Sequence, residues 1–122
     1  MEFNQVTFDQ FTIVLLLTNP EYVPGTPAEE DALQDAHLSY LADLHAAGHL
    51  YAAGPLGGGP DRPYRGLSIM GVDPATALEL KRADPAVRAG RFLVEVMPWM
   101  VPGGAIHATP TRFPRSIADA RG

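Results

Sequence analysis

Residues 26–48, TPAEEDALQDAHLSYLADLHAAG, constrain the fold more than any other stretch, because both ends of a helix are written into them. Thr26 is placed to cap, Pro27 suits the first helical position, and Glu29 completes a Thr-x-x-Glu capping box. Glu30 and Asp31 add negative charge at the positive end of the helix dipole. Gly48 supplies the left-handed residue that stops the helix, so the pattern predicts a helix from Pro27 to about Ala47. Its positions three and four apart, Leu33, His37, Tyr40, Leu41 and Leu44, form one stripe that has to be covered.

Four β-type runs surround this helix. FTIVLLL at 11–17 is β-branched and apolar without alternation, which predicts a central strand buried on both faces or covered by a partner. HLYAAGPL reads as a second strand closed by Gly54-Pro55, GGGPDRP at 57–63 as a flexible turn, and YRGLSIMGV at 64–72 as a third strand antiparallel to the second. Asp73-Pro74 opens a second helix, ATALELKRA, by the cap-then-proline pattern. Asp84-Pro85 interrupts it and begins a short turn that Gly90 ends. RFLVEVMPWM at 91–100 is the fourth strand, with Phe92, Val94 and Val96 alternating against Arg91, Leu93 and Glu95.

The order βαββαβ predicts an α+β, ferredoxin-like fold: a four-stranded antiparallel sheet with two helices on one face. The other face has no helix, and its economical cover is a second copy of the chain, so a homodimer is expected. Residues 1–101 form the expected domain. Residues 102–122, rich in proline and glycine and without periodicity, form an expected extended arm or partly disordered tail. Its three arginines against one aspartate suit it to lie over the acidic body of its own or a neighbouring subunit.

Length and composition exclude several classes. The 122 residues, 46 % of them hydrophobic, are enough for one core and too few for two. Cysteine is absent, which removes disulfides, thiolate metal sites and cysteine nucleophiles. The net charge is −5, and the first 61 residues hold nine acidic side chains and no Lys or Arg. Nucleic-acid binding, which needs clustered positive charge, is not expected. The amino end carries Glu2 and Asp9 before a short apolar run, unlike a signal peptide, and no run approaches the ~20 apolar residues of a membrane span. A cytoplasmic protein with no membrane contact is the expectation.

His37 lies in the middle of the apolar stripe, where an imidazole has to find hydrogen-bond partners. It is either a structural histidine bonded to a carbonyl or acid, or a general acid–base in a pocket between helix and sheet. His45 falls about 80° around the axis from it and is expected in solvent. His49 follows the helix-ending Gly48, so the two cannot ligate from one helical face, and no metal or cofactor is expected. His107 is expected at the surface of the tail.

Asp73 is read as a cap. Asp84 is read as more, because the end of the second helix comes beside the first in this fold and would bring the carboxylate near His37, fixing its tautomer. Gly54, Pro55 and the glycines at 57–59 meet neither nucleotide-loop fingerprint, since Lys, Ser and Thr are missing and no helix follows. A flap over a pocket or a plain hairpin remains. Arg62 and Arg65 flank that loop and, with Gly54 and Pro55, are the candidate contacts to an anionic small-molecule substrate. Trp99, Met97 and Met100 are assigned to an apolar surface.

The stretches AHLSYLADLHAAGHLYAAGPL, RADPAVRAGRF and VEVMPW resemble the YciI-like (YCII-related) family: a helical His, Gly-Pro-Leu after the second strand, and Asp-Pro before the last strand. The resemblance covers residues 11 to 101 and implies a ferredoxin-like fold of the dimeric α+β barrel type. It further implies a catalytic His–Asp pair, here His37 and Asp84. Some related proteins dehydrochlorinate hydroxyquinols, and related barrels include muconolactone isomerases. The segments 19–27 and 57–60 depart from the family pattern and lie where they would reshape the pocket mouth. The expected function is therefore a cofactor-independent lyase or isomerase using His37 and Asp84 on a small aromatic or lactone-like anion. A non-catalytic small-molecule-binding module is the alternative.

Overall fold

Thr26 caps the first helix as its spacing predicts: the side chain accepts from Glu29 N at 3.2 Å, and Glu29 Oε1 accepts from Thr26 N at 3.0 Å. The structure, a computed structural model, describes residues 5–122. Residues 1–4, with Glu2 and the first positions of the expected domain, lie outside the described residues. In chain order the elements are β1 (Phe8–Thr18), α1 (Pro27–Ala46), β2 (Leu50–Pro55), β3 (Tyr64–Met70), α2 (Pro74–Arg82), α3 (Pro85–Arg88), β4 (Phe92–Pro102) and α4 (Ile117–Ala120). Gly48, with φ of 84°, provides the left-handed turn after α1 that any residue with a Cβ would resist.

The four strands form one antiparallel sheet in the order β2-β3-β1-β4, with the helices packed on one face: the ferredoxin-like α+β fold expected. β1 and β4 extend beyond their apolar cores because they pair along their whole lengths, from Phe8 opposite Pro102 to Thr18 opposite Phe92. β4 is an edge strand, which tolerates the missing amide donors of Pro98 and Pro102.

Val14, Leu44, Leu50, Met70 and Ala77 form the buried core between sheet and helices, flanked by Tyr40, Leu41, Val94 and Val96. Along β1, Val14 and Leu16 are buried while Ile13, Leu15 and Leu17 are half-buried, so of the two expectations for this strand, burial on both faces within one chain is not met. The outer residues pair across strands, Ile13 with Ile69 and Met97, Leu15 with Leu67, and Leu17 with Leu93, forming a largely apolar face, broken by the exposed Glu95 opposite Leu15, that no helix covers.

The tail follows the outside of α1 of its own chain. Arg115 bonds Asp43 at 2.8 Å and Ser39 at 3.4 Å, and Ile117 N donates to Asp35 Oδ1 at 2.7 Å. Helix α1 is thus covered on a second side. The expectation of an extended arm did not include α4, a single turn held by Ser116, whose hydroxyl accepts from Asp119 N.

Candidate active site

His37 is buried at the middle of α1, and its Nδ1–H donates to Asp84 Oδ2 at 2.7 Å. Asp84 is wholly buried between α2 and α3, and its other oxygen accepts from Ala86 N at 2.9 Å, capping α3. Capping and histidine contact are therefore the work of one carboxylate. With Nδ1 donating, Nε2 carries the lone pair. Among the described residues Nε2 has no hydrogen-bond partner and no fully buried polar side-chain atom is left unpaired, so this nitrogen is reached from the adjoining cavity, which His37 lines. The Phe92 ring lies tilted against the imidazole, with centroids 5.9 Å apart.

Beneath the same cavity lies a group that the sequence did not single out. Lys81 has no solvent exposure, and its Nζ donates to Ser68 Oγ at 2.8 Å. Burial pushes the ammonium down from 10.5 to about 8, against the charge of Asp84, which favours the protonated form. An oxygen that accepts from the ammonium has its own proton free to donate elsewhere. Tyr40 ties α1 to α2 through a 2.5 Å bond to Leu80 O, and burial, with a smaller contribution from Asp84, raises its hydroxyl above the ordinary range.

His37 and Ser68 line one cavity of about 650 Å³, together with Gly54, Pro55, Arg62 and Arg65. The chain holds 14 Asp and Glu against 9 Lys and Arg. None of the described acids lines this cavity, whereas Arg62, Arg65 and Arg121 do. Local charge opposes the net charge and favours an anion. Arg62 also closes the loop beneath it, donating through Nε to Leu56 O and through a terminal nitrogen to Gly59 O, both at 2.9 Å. A Cβ on Gly58 would sit 2.9 Å from the Arg62 side chain, with φ at 141°, so this loop conformation depends on glycine. Neither residues 57–60 nor the segment 19–27 lines the cavity; the first loop bears on its mouth through the Gly59 and Pro60 carbonyls that hold Arg62 and Arg65.

The profile of the YCII-related domain matches residues 12–100. The chain belongs to the YCII-related domain family. Among solved structures it is similar to the 5-chloro-2-hydroxyhydroquinone dehydrochlorinase of Burkholderia phenoliruptrix in complex with 2,5-dihydroxybenzoquinone. The TM-score is 0.52 at 24 % identity, covering 73 % of this chain and 92 % of the dehydrochlorinase chain. No curated protein matches the chain in sequence.

In this YCII-related chain the other histidines stand apart from the pair. His45 is not in solvent as expected: its Nδ1 donates to Leu50 O at 2.7 Å, its Nε2 accepts from Thr111 N at 3.0 Å, and its ring stacks on Phe113 with centroids 4.2 Å apart. The tail, placed by no periodicity, accounts for that burial. A second cavity of about 490 Å³ lies there, lined by His45, Phe113 and Arg115. His49 is half-buried and His107 exposed. Among the described residues no three His, Asp or Glu gather as a metal site would require, and no helix is long and apolar enough to cross a membrane.

Sequence reasoning missed Lys81, Ser68 and the tail wall of the cavity. A signal for the first was present: Lys81 is four positions after Ala77 on one face of α2, and both are fully buried. Ser68 alternates with buried Gly66 and Met70 on the helix side of β3.

Proposed function

We propose that this YCII-related protein is an acid–base enzyme of lyase or isomerase type that acts with its own side chains on a small anionic ring compound. The observation that carries this reading is the pair in which Asp84 holds His37 Nδ1 at 2.7 Å while Nε2 meets the cavity. A carboxylate so placed fixes the neutral tautomer and stabilises the imidazolium once a proton has been taken. His37 Nε2 would accept a proton from the substrate. The electron pair left behind either expels a leaving group, which is elimination, or is reprotonated by His37 at another ring position, which is isomerisation.

Ser68, backed by the Lys81 ammonium, supports the same reading. Its hydroxyl has a proton to give to the oxygen on which negative charge gathers, and the interior around it strengthens that bond. Arg62 and Arg65 would draw the anion in, with Gly54 and Pro55 bordering its path. The dehydrochlorinase in complex with 2,5-dihydroxybenzoquinone supplies the first compounds to try: chlorinated hydroxyquinols, followed by lactones.

The working unit in this proposal is a homodimer built sheet to sheet. Its support is the apolar outer face of the sheet, on which Leu93 is 50 % and Met97 36 % exposed in the single chain.

The test is turnover of 5-chloro-2-hydroxyhydroquinone, read as chloride release, by the wild-type chain and by His37→Asn. Removing a general base typically costs roughly 10²–10⁴-fold. Loss on that scale with an unchanged far-UV spectrum is expected. A variant as fast as wild type would discard the assignment, and no acceleration over buffer by wild type would discard dehydrochlorination.

A further inference from the structure

The C-terminal segment lies outside the matched family domain, which ends at residue 100, yet it supplies Pro114, Ile117, Ala120 and Arg121 to the His37 cavity. Its position on α1 is held at several independent points. Thr111 N donates to His45 Nε2, Phe113 stacks on His45, Arg115 pairs with Asp43, and Ile117 N bonds Asp35. Ordering a segment of this length costs conformational entropy, which these contacts offset. They carry α4 to the cavity and set Arg121 at its last turn, where Arg121 N donates to Ile117 O at 3.1 Å.

The arginines around the cavity are differently engaged. Two nitrogens of Arg62 are bonded to carbonyls of its own loop, and Arg65 reaches Pro60 O at 3.5 Å. The Arg121 guanidinium makes no hydrogen bond or ion pair among the described residues and is exposed at the rim. His37 and Ser68 lie at the buried end of the same cavity. A ligand that meets both ends therefore has a reactive ring portion inside and a negative group outside.

We propose that the C-terminal segment is a working wall of this cavity, and that Arg121 is its specificity residue, selecting ring compounds that carry a carboxylate remote from the reacting carbon. The inference rests on the cavity being the site of the acid–base reaction, and it adds the substrate class. A guanidinium meets a carboxylate through two parallel hydrogen bonds, which a phenolic oxygen cannot match.

The test is calorimetric binding to the full chain of 2,5-dihydroxybenzoate and of hydroquinone, which lacks the carboxylate. Wild type is expected to bind the first about 10-fold more tightly. Arg121→Gln should lose about 5-fold to 10-fold for 2,5-dihydroxybenzoate and nothing for hydroquinone, with Arg121→Lys between. Equal losses for both probes, an unchanged preference in Arg121→Gln, or no measurable binding of 2,5-dihydroxybenzoate by wild type would each overturn the proposal. His37→Asn separates the two readings: it should retain the carboxylate preference, so a failed acid–base assignment with an intact Arg121 effect leaves the subsite standing.

Discussion

Lys81 donates to Ser68 across the sheet–helix interface at 2.8 Å, with the lysine wholly enclosed and Asp84 the nearby opposite charge. The positive charge that primes the Ser68 hydroxyl is lost as pH passes about 8, where burial has brought the ammonium. Turnover should therefore fall on the alkaline side with a midpoint near that value. Lys81→Met should be slower at pH 7 by roughly 10-fold to 100-fold, as when a donor to a developing oxyanion is weakened, and should show no such limb. A pH–rate profile of the two proteins checks it.

The same lysine makes stability depend on pH. Its folded value lies below the unfolded one, so between pH 8 and 10.5 the unfolded chain binds the extra proton and stability from this group rises with pH. Below about pH 8 the net cost of the enclosed charge, burial less the attraction of Asp84, is present in full, about 3 kcal/mol. Urea unfolding at pH 7 and pH 10 should show this rise in wild type relative to Lys81→Met.

Asp84→Ala removes the acceptor for His37, the cap of α3 and the charge that offsets Lys81 in one change. A loss of roughly 3–5 kcal/mol is expected, as for other broken buried pairs. Asp84→Asn keeps one acceptor oxygen and should fall between the two in denaturant midpoint while losing most activity.

Phe113→Ala should free the tail with little effect on the sheet. The stacked ring is worth about 0.5–1.5 kcal/mol beyond its buried area, whereas Arg115→Ala should cost under about 1 kcal/mol, because the ion pair with Asp43 is exposed. Amide exchange at Thr111 and Ile117, faster in the first variant than in the second, would show the difference.

If two chains meet through the open sheet face, Leu15→Glu should give a monomer by light scattering, since Leu15 sits centrally between Leu67 and Glu95 and a second carboxylate there faces apolar surface. A wild-type monomer would remove the dimer from the proposal.

The fold was legible because each boundary had a local chemical cause: the Thr26 capping box, Gly48, and the two Asp-Pro caps. The contact between His37 and Asp84 was legible too, since a polar residue on an apolar stripe and a cap that breaks a helix both ask for a partner, and the fold sets α1 beside α3. What stayed hidden depends on neighbours far apart in sequence. Lys81 resembles any lysine near a helix end until α2 is seated on Ser68. His45 looked exposed because its cover comes from Thr111 and Phe113, in a stretch with no period to follow.

One carboxylate both starts α3 and steadies the imidazole, and this joins assembly to chemistry in time. α1 has its own start and stop signals and is expected to form early, whereas Asp84 meets His37 across 47 residues, in a chain whose last strand, β4, pairs along β1. A refolding chain should regain its helical signal before its activity, and activity should return in step with that final strand pairing.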